Sequence, residues 1–183
     1  MAVPMTSINL FSEEFVICAG SVPFQISDTG GLSICLLHVR SKNKWCLPKG
    51  RKDITEAIHD TAVRETTEET GFPCTLLPID MHTRATLPGE DRKDRPRFHR
   101  AVSTEPFAVT LRHMSENNMK TIYWFVTLIE ESERQLQGTR MPSEHFESVF
   151  WDADEAVEKL SLPSQREVAR KAVDLVRKAL AEP

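Results

Sequence analysis

Glu68 and Glu69 follow Glu65 by three and four residues in the chain. On a helix this spacing places all three on one face, about 5–6 Å apart at Cβ, where like charges repel. The repulsion is greater in the last turn, because the C-terminal end of a helix dipole is already negative. Arg64 can offset one of the charges, and we expect a bound cation to gather the rest. Carboxylates without thiol or imidazole neighbours favour hard cations, so the cluster predicts a site for Mg2+ or Mn2+. A solvated acidic helix end is the alternative interpretation.

The helix that must carry these glutamates is predicted from about Ile54 to Thr70. Asp53, with Glu56 three residues later, forms a capping-box pattern that is typical of a helix start. Gly71 suits the left-handed residue that ends many helices. The acidic cluster therefore belongs to the last turn of this helix.

The segment from residue 50 to residue 72 resembles the Nudix box, a motif of the form G-x5-E-x7-R-E-U-x-E-E-x-G-U in which U is apolar. All seven fixed positions are present at the required spacing: Gly50, Glu56, Arg64, Glu65, Glu68, Glu69 and Gly71. Chance agreement in one window is on the order of one in 10^8, so the resemblance is specific. The one departure is Thr66, where an apolar residue is usual. Its hydroxyl needs a partner, for which we expect the backbone carbonyl of Ala62.

The resemblance implies an α/β fold, a Nudix-type α/β/α sandwich with a mixed β-sheet, in which the box forms a loop, a helix and a loop. It also implies a set of catalytic, metal-binding glutamates: Glu65, Glu68 and Glu69. The backbone carbonyl of Lys49 is a further candidate ligand. The implied reaction is the hydrolysis of a phosphoanhydride with Mg2+ or Mn2+, which neutralises phosphate oxygens and lowers the pKa of bound water.

The other fixed positions are structural by the same resemblance. Glu56 and Arg64 would form a pair that holds the loop against the helix. Gly50 and Gly71 would supply turns that other residues would strain. A carboxylate before the last strand sometimes supplies a further ligand or base in this family, and the candidates are Glu144 and Glu147. Solvated loop glutamates are the alternative interpretation of Glu144 and Glu147.

Basic residues near the box indicate an anionic substrate. Lys49, Arg51 and Lys52 surround the box loop, and a polar insertion at about 88–100 adds a basic stretch. The candidate substrate-binding residues of the insertion are Arg92, Lys93 and Arg95. In a protein that is acidic elsewhere, basic residues concentrated in this way favour a small, highly phosphorylated ligand. A solvated surface loop is the alternative interpretation of the insertion.

The entry to the box, residues 48–50, resembles that of two overlapping groups, the diadenosine polyphosphate hydrolases and the diphosphoinositol polyphosphate phosphohydrolases. A nucleotide would need an aromatic platform. Tyr123, Trp124 and Phe125 are candidates, although core packing explains them more simply. We therefore favour diphosphoinositol polyphosphates over dinucleoside polyphosphates. An mRNA decapping enzyme, which the acidic pI disfavours, and an inactive Nudix-fold binding module are further alternatives.

The elements around the box follow from hydrophobic periodicity. We expect one domain over residues 1–183, with the box at 50–72 and a C-terminal helix at about 163–180. The predicted strands are 15–25, 32–39, 45–47, 74–77, 83–87, 106–111, 121–129 and 148–151, and a short helix is predicted at 153–160. The strand at 121–129 is apolar on both faces, which indicates a central strand covered on both sides.

The composition excludes several other classes of protein. The net charge is −4 and the pI about 5.9, so we expect no general binding to DNA or to acidic membranes. No apolar run approaches the roughly 20 residues that span a bilayer. No secretory signal is visible, which favours a cytoplasmic or nuclear protein. The four cysteines are too widely spaced for a CxxC-type zinc site and are expected to be buried, reduced thiols: Cys18, Cys35, Cys46 and Cys74.

Overall fold

The computed structural model describes residues 7–86, 89, 97–115, 118–130, 132–136 and 146–181, with the backbone path alone for residues 97–102. The strands of this part of the chain are β1 (Phe15–Ile26), β2 (Leu32–Val39), β3 (Lys44–Cys46), β4 (Lys49–Arg51), β5 (Thr75–Leu76), β6 (Ile79–Thr83), β7 (Arg97–Ser103), β8 (Ala108–Ser115), β9 (Asn118–Leu128) and β10 (Phe146–Asp152). The helices are α1 (Ile58–Thr70), α2 (Ala153–Lys159) and α3 (Pro163–Ala181). None of these three helices is long and apolar enough to cross a membrane.

Eight of the strands form one mixed sheet. Its main path runs β10–β2–β1–β9–β5, with β3 beside β2, β4 beside β1 and β8 beside β9. β1 and β9 are parallel, from Phe15 opposite Met119 to Phe24 opposite Leu128, and the other pairs are antiparallel. β6 and β7 form a separate antiparallel pair. The position of β9 inside the sheet confirms the prediction from its two apolar faces.

Alternation along β1 decides which helix layer each side chain meets. Val22 and Phe24 lie in the larger core, beneath α2 and α3. Ala19 faces the other way and packs with Ala62 of α1 and Phe125 of β9 in a smaller cluster. Because helices cover both faces of the sheet, the predicted α/β/α sandwich with a mixed sheet is confirmed.

The helix of the box begins at Ile58, four residues later than predicted. Thr55 has a φ of +70°, in the left-handed region, which a right-handed helix does not contain. The Asp53 N–H does donate to the Glu56 carboxylate over 3.1 Å, as in a capping box, but the contact closes a turn in front of the helix. Glu56 is thereby left outside α1, where it can reach Arg64.

The basic insertion is only partly a loop, because its last residues begin β7, which pairs with β6. Phe98, for example, lies opposite His82. The strand predicted at 83–87 is also displaced toward the N-terminus, since β6 ends at residue 83 and buries Ile79 and Met81. β6 supplies the hydrogen bonds that make the end of the insertion a strand, and the composition of the insertion does not reveal this partner.

All four cysteines lie among the described residues and are thiols. Cys18 and Cys35 are buried, as predicted, whereas Cys46 and Cys74 are half-buried. Burial raises the pKa of Cys46 to about 11, and the negative charge of Glu69 acts in the same direction. The Cys46 thiol is therefore neutral at physiological pH.

Candidate active site

The loop that enters the box is held against β1. Lys49 of β4 lies opposite Gly20 of β1, and the Ser21 N–H donates to the Pro48 carbonyl over 3.2 Å. A Cβ on Gly20 would overlap the Pro48 carbonyl and the Lys49 side chain. The backbone of this loop therefore approaches β1 so closely that residue 20 must be glycine.

Glu56 and Arg64 form a two-point ion pair between the loop and α1. Nε of Arg64 donates to one carboxylate oxygen over 2.7 Å, and Nη2 donates to the other over 3.0 Å. The Thr61 hydroxyl, at 2.7 Å, and the Asp53 N–H also donate to Glu56. The hydrogen bond from Arg64 is the main cause that lowers the pKa of Glu56 from its ordinary value near 4.5 to about 2. The same contact raises the pKa of Arg64.

Arg64 also connects this pair to two of the candidate metal ligands. Its Nη1 donates to Glu65 over 2.8 Å and to Glu68 over 3.0 Å. Its Nη2 donates to the Arg51 carbonyl over 2.9 Å, so one guanidinium joins the loop and the helix. Arg64 was expected to offset one glutamate charge, and in the structure it contacts two of the three.

Glu69 is turned toward the loop and buried, with 6% of its surface exposed. Its Oε2 accepts a hydrogen bond from the Lys49 N–H over 2.7 Å. A short hydrogen bond to an ionised carboxylate is among the stronger ones in proteins and compensates part of the cost of burying this group. The contact places a glutamate of α1 beside the backbone of residue 49, whose carbonyl is the further candidate ligand.

Gly50 permits a close contact, so the prediction that it supplies a turn is wrong. It lies in β4, and its φ is outside the left-handed region. A Cβ on Gly50 would overlap the carboxylate of Glu65, which occupies that space. Gly71 does have the predicted left-handed conformation, with a φ of +79°, and its N–H donates to the Thr67 carbonyl over 2.8 Å as α1 ends.

Thr66 has a different partner from the one expected. Its hydroxyl lies 2.7 Å from the hydroxyl of Ser21 on β1, whereas the Ala62 carbonyl was predicted. The partner comes from a neighbouring strand, 45 residues earlier in the chain. Local sequence around Thr66 does not contain this information.

Two cations that were not predicted from the sequence, Lys120 and Arg112, share a sheet face with the basic residues at the entry to the box. Arg51 is paired with Cys18 across β4 and β1, and Cys18 packs beneath α2 and α3, so Arg51 lies on the sheet face opposite α1. Lys49 shares this face, two residues away. Lys120 of β9 and Arg112 of β8 lie opposite each other on the same face. We name these residues the cation face: Lys49, Arg51, Arg112 and Lys120.

Three members of the cation face and Glu65 act electrostatically on the same buried thiol, that of Cys18. Burial raises the pKa of this thiol, and the charges of Lys120, Lys49 and Arg51 act in the opposite direction. The negative charge of Glu65 raises the pKa of the same thiol. Among the described residues, no carboxylate forms an ion pair with any member of the cation face. This surface therefore combines several positive charges that an anionic ligand could neutralise.

Of the remaining basic candidates, only Lys52 lies in the described part of the chain. The Lys52 ammonium donates to the Asp53 carbonyl over 2.8 Å, so the backbone of the loop already engages it. The other predicted substrate-binding residues lie outside the described part of the chain: Arg92, Lys93 and Arg95. Glu144 lies outside it as well.

Glu147 is not placed with the glutamates of α1. Its neighbour Ser148 points toward α1, where its hydroxyl donates to the Thr70 carbonyl over 2.7 Å. Strand alternation turns Glu147 to the other face of the sheet, where it contacts Arg40 at 2.8 Å. The structure therefore does not support Glu147 as an additional ligand or base.

The donor set of the box fits a hard cation, because carboxylates and a backbone carbonyl are the ligands that Mg2+ and Mn2+ prefer. In the part of the chain that the structure describes, no three acidic, histidine or cysteine side chains converge closely enough to hold a metal ion. Nη1 of Arg64 contacts Glu65 and Glu68, and Glu69 is bonded to the Lys49 N–H. Crowding of like charges therefore does not by itself require a metal, contrary to expectation. The metal assignment depends on the donor chemistry and on the motif.

A protein-family model described as NUDIX domain matches residues 21–173. The match extends well beyond the 23 residues of the motif, since it begins within β1 and ends within α3. The comparison with curated proteins gives no significant match.

Solved structures share the fold at low sequence identity. The C. elegans Ap4A hydrolase in a binary complex is 17% identical with a TM-score of 0.57, over 87% of this chain and 96% of that one. A mutT/nudix family protein from Listeria innocua is 16% identical with a TM-score of 0.58, over 92% and 98% of the two chains. The NUDIX domain of Shewanella oneidensis NrtR, complexed with ADP ribose, is 14% identical with a TM-score of 0.54, over 87% and 86%. At these identities the likeness establishes the fold alone.

Proposed function

This chain belongs to the Nudix family, and we propose that it hydrolyses the phosphoanhydride of a small, densely phosphorylated molecule at the site formed by α1 and the loop before it. Nudix hydrolases act on phosphoanhydrides and generally use divalent metal ions. Our assignment of the ligands is Glu65, Glu68, Glu69 and the Lys49 carbonyl. The observation that carries it is the hydrogen bond between Lys49 and Glu69, which brings the loop and the helix of the box together.

When bound, Mg2+ or Mn2+ would neutralise phosphate oxygens and lower the pKa of a coordinated water. The side chains of this protein orient that chemistry. Arg64, fixed by Glu56, directs the carboxylates of Glu65 and Glu68, and the Lys49 N–H directs that of Glu69. These contacts exist in the folded protein before a substrate enters.

The cation face supports a substrate with several phosphate groups. Lys120 and Arg112 add two charges to those of Lys49 and Arg51 on the sheet face opposite α1, and Lys49 and Arg51 belong to the loop that precedes α1. Cations strengthen the binding of each additional phosphate more than that of a neutral group. We propose that the cation face holds phosphate groups that are not being cleaved.

Diphosphoinositol polyphosphates are our proposed substrates, with dinucleoside polyphosphates as the alternative. A nucleotide base would need an exposed aromatic platform. Trp124 and Phe125 are only 1% and 2% exposed and belong to the core, so they do not provide one. Tyr123 is half-buried against the smaller core cluster. The likeness to an Ap4A hydrolase, at 17% identity, keeps the dinucleoside polyphosphates in consideration.

A substrate panel with Mg2+ tests the proposal. Initial rates of phosphate release would be compared for inositol pyrophosphates, dinucleoside polyphosphates, nucleotide sugars and capped RNA. We expect the highest kcat/KM on inositol pyrophosphates. A preference for dinucleoside polyphosphates or for capped RNA would replace the substrate assignment, and no hydrolysis of any member would favour a binding module.

Variants of the cation face test the origin of the selectivity. We expect Lys120→Gln and Arg112→Gln to raise KM most for the most highly phosphorylated substrate, because each removes one charge from the cation face. Neutralising Arg92, Lys93 and Arg95 of the insertion is expected to act in the same direction. The matched control is Lys42→Gln, an exposed lysine in the turn after β2. Equal changes in KM for all substrates, or the same change in the control, would contradict this role.

A further inference from the structure

The inner face of α1 is polar, which is unusual for a helix packed on a sheet. Its buried residues are Thr61, Ala62, Thr66, Glu69 and Thr70, and only one of them is apolar. The buried face of α3, by comparison, is built mainly from valine, alanine and leucine. A helix normally docks through an apolar stripe. Hydrogen bonds must therefore provide much of what fixes α1 on the sheet.

Three buried hydroxyls provide the most direct of these contacts. The Ser21 hydroxyl lies 2.7 Å from that of Thr66 on α1 and 2.8 Å from that of Thr127 on β9. All three residues have no exposed surface. Ser21 is thus the shared partner that joins the helix to two neighbouring strands.

Ser21 also holds the loop that precedes the helix. Its backbone N–H donates to the Pro48 carbonyl, and the next residue, Lys49, donates its own N–H to Glu69. One residue of β1 therefore contacts both the loop and α1, the two elements that carry the proposed metal ligands. A change in the distance between them would alter the contact between Lys49 and Glu69.

We propose that Ser21, Thr66 and Thr127 are positioning residues that set how closely α1 lies on the sheet. As far as it concerns metal binding, this inference rests on the proposed function. A hydrogen-bonded pair of oxygens is 2.7 Å apart here, whereas apolar carbons in contact are about 3.5–4.0 Å apart. An apolar residue at position 66, which the motif usually has, would hold the helix about 1 Å farther from Ser21. The close contact between Gly50 and the Glu65 carboxylate is a second sign that α1 lies near the sheet.

Removing the hydroxyls singly and together separates stability from position. Ser21→Ala leaves two buried hydroxyls without their shared partner, so we expect it to lower the melting temperature. The triple variant Ser21→Ala, Thr66→Val, Thr127→Val has apolar groups throughout, so we expect it to recover much of that loss. We expect α1 to lie farther from β1 in the triple variant, because methyl groups cannot approach as closely as hydrogen-bonded oxygens.

The first measurement is the hydrogen exchange of the Lys49 amide in metal-free protein, which depends on neither catalysis nor metal. We expect the triple variant to lose protection at this amide although its melting temperature recovers. The second is Mn2+ affinity, followed by the electron paramagnetic resonance of the free ion, and we expect it to fall about tenfold, the effect of disturbing a residue that orients a ligand. Thr66→Ser keeps the hydroxyl and should retain both properties.

A matched control removes a hydroxyl hydrogen bond from the other face of the sheet. Thr110→Val deletes the acceptor that lies 2.9 Å from Nε1 of Trp124, and it should lower stability without changing the Lys49 amide or the Mn2+ affinity. If the triple variant does not fold, Thr66→Val alone repeats the test, since Ser21 and Thr127 remain bonded to each other. Native protection of the Lys49 amide in these variants would overturn the inference. Lost protection with no Mn2+ binding even in the native protein would instead overturn the proposed function.

Discussion

Two glutamate–arginine pairs lie on opposite faces of the same sheet, and they differ in their surroundings. Glu56 and Arg64, beside α1, have side chains that are 15% and 27% exposed. Glu147 and Arg40, on the other face, have side chains that are 44% and 71% exposed. Nε and Nη2 of Arg40 contact the same oxygen of Glu147, whereas Arg64 engages both oxygens of Glu56.

The comparison shows that the neighbours of an ion pair, more than the pair itself, decide its role. Glu56 receives additional hydrogen bonds from Thr61 and Asp53, and Arg64 extends to Glu65 and Glu68. The pair is therefore part of a network that includes the proposed metal ligands. The pKa of Glu147 is also lowered, chiefly by its hydrogen bond from Arg40, but that carboxylate lies at the surface. Surface pairs contribute little to stability because water and salt screen them.

We expect the largest difference between the two faces when one glutamate on each is replaced by glutamine and turnover is measured. We expect Glu69→Gln to lower turnover by about 100-fold or more, because it removes a charged ligand of the proposed metal site. The fold should remain, since the amide oxygen of glutamine can still accept the Lys49 N–H. Rates of phosphate release with Mg2+, together with thermal unfolding, measure the two effects.

Glu147→Gln is the control for this experiment and should leave turnover unchanged. Near-normal activity of Glu69→Gln, or an equal loss in both variants, would refute the assignment of the α1 glutamates.

The two pairs should also differ in how they make stability depend on pH. The pKa of Glu56 in the folded protein is about 2, below its ordinary value near 4.5. A carboxylate with a lowered pKa stabilises the fold above its unfolded pKa, and this contribution is lost as the pH falls from about 4.5 toward 2. We expect Glu56→Gln to reduce the free energy of unfolding by about 1–2 kcal/mol at pH 7, after allowance for partial exposure of the pair.

Urea unfolding of native protein and Glu56→Gln at a series of pH values checks this expectation. The difference between the two proteins should shrink as the pH falls below about 4.5, because the native carboxylate then gains its proton. A difference that stays constant down to pH 3 would mean that the effect of Glu56 is not electrostatic.

Features that depend on neighbours in the chain could be predicted from the sequence. β2 has the bounds predicted for it, α3 is only one residue longer than predicted, and Gly71 ends α1 in the left-handed conformation. Each of these follows from alternation, from helical periodicity or from the backbone freedom of glycine. The spacing of the box predicted which glutamates share the helix.

Features that depend on distant segments could not be predicted in the same way. Thr66 finds its partner on β1, and the Glu65 carboxylate fills the space that a Cβ on residue 50 would need. Lys120 did carry a signal, because it alternates with the buried Ile122 and Trp124, but its place on the same sheet face as Arg51 depends on the pairing of β4, β1 and β9. The order and register of the strands determine these contacts. The sequence predicted the class of fold but neither the strand order nor the register.

The smallest effect is expected from the surface pair itself. Glu147→Gln removes the charge that Arg40 contacts at 2.8 Å, yet both side chains reach water, which can solvate each of them alone. We expect no resolved change in the urea midpoint at pH 7, either at about 0.05 M or at about 0.5 M salt, because screening acts on an interaction that is already weak. Glu56→Gln, measured alongside, should lower the midpoint at both salt concentrations, since its pair is mostly shielded from solvent. A loss in Glu147→Gln as large as that in Glu56→Gln would show that exposure does not distinguish the two pairs, and the network around Arg64 would then need another explanation.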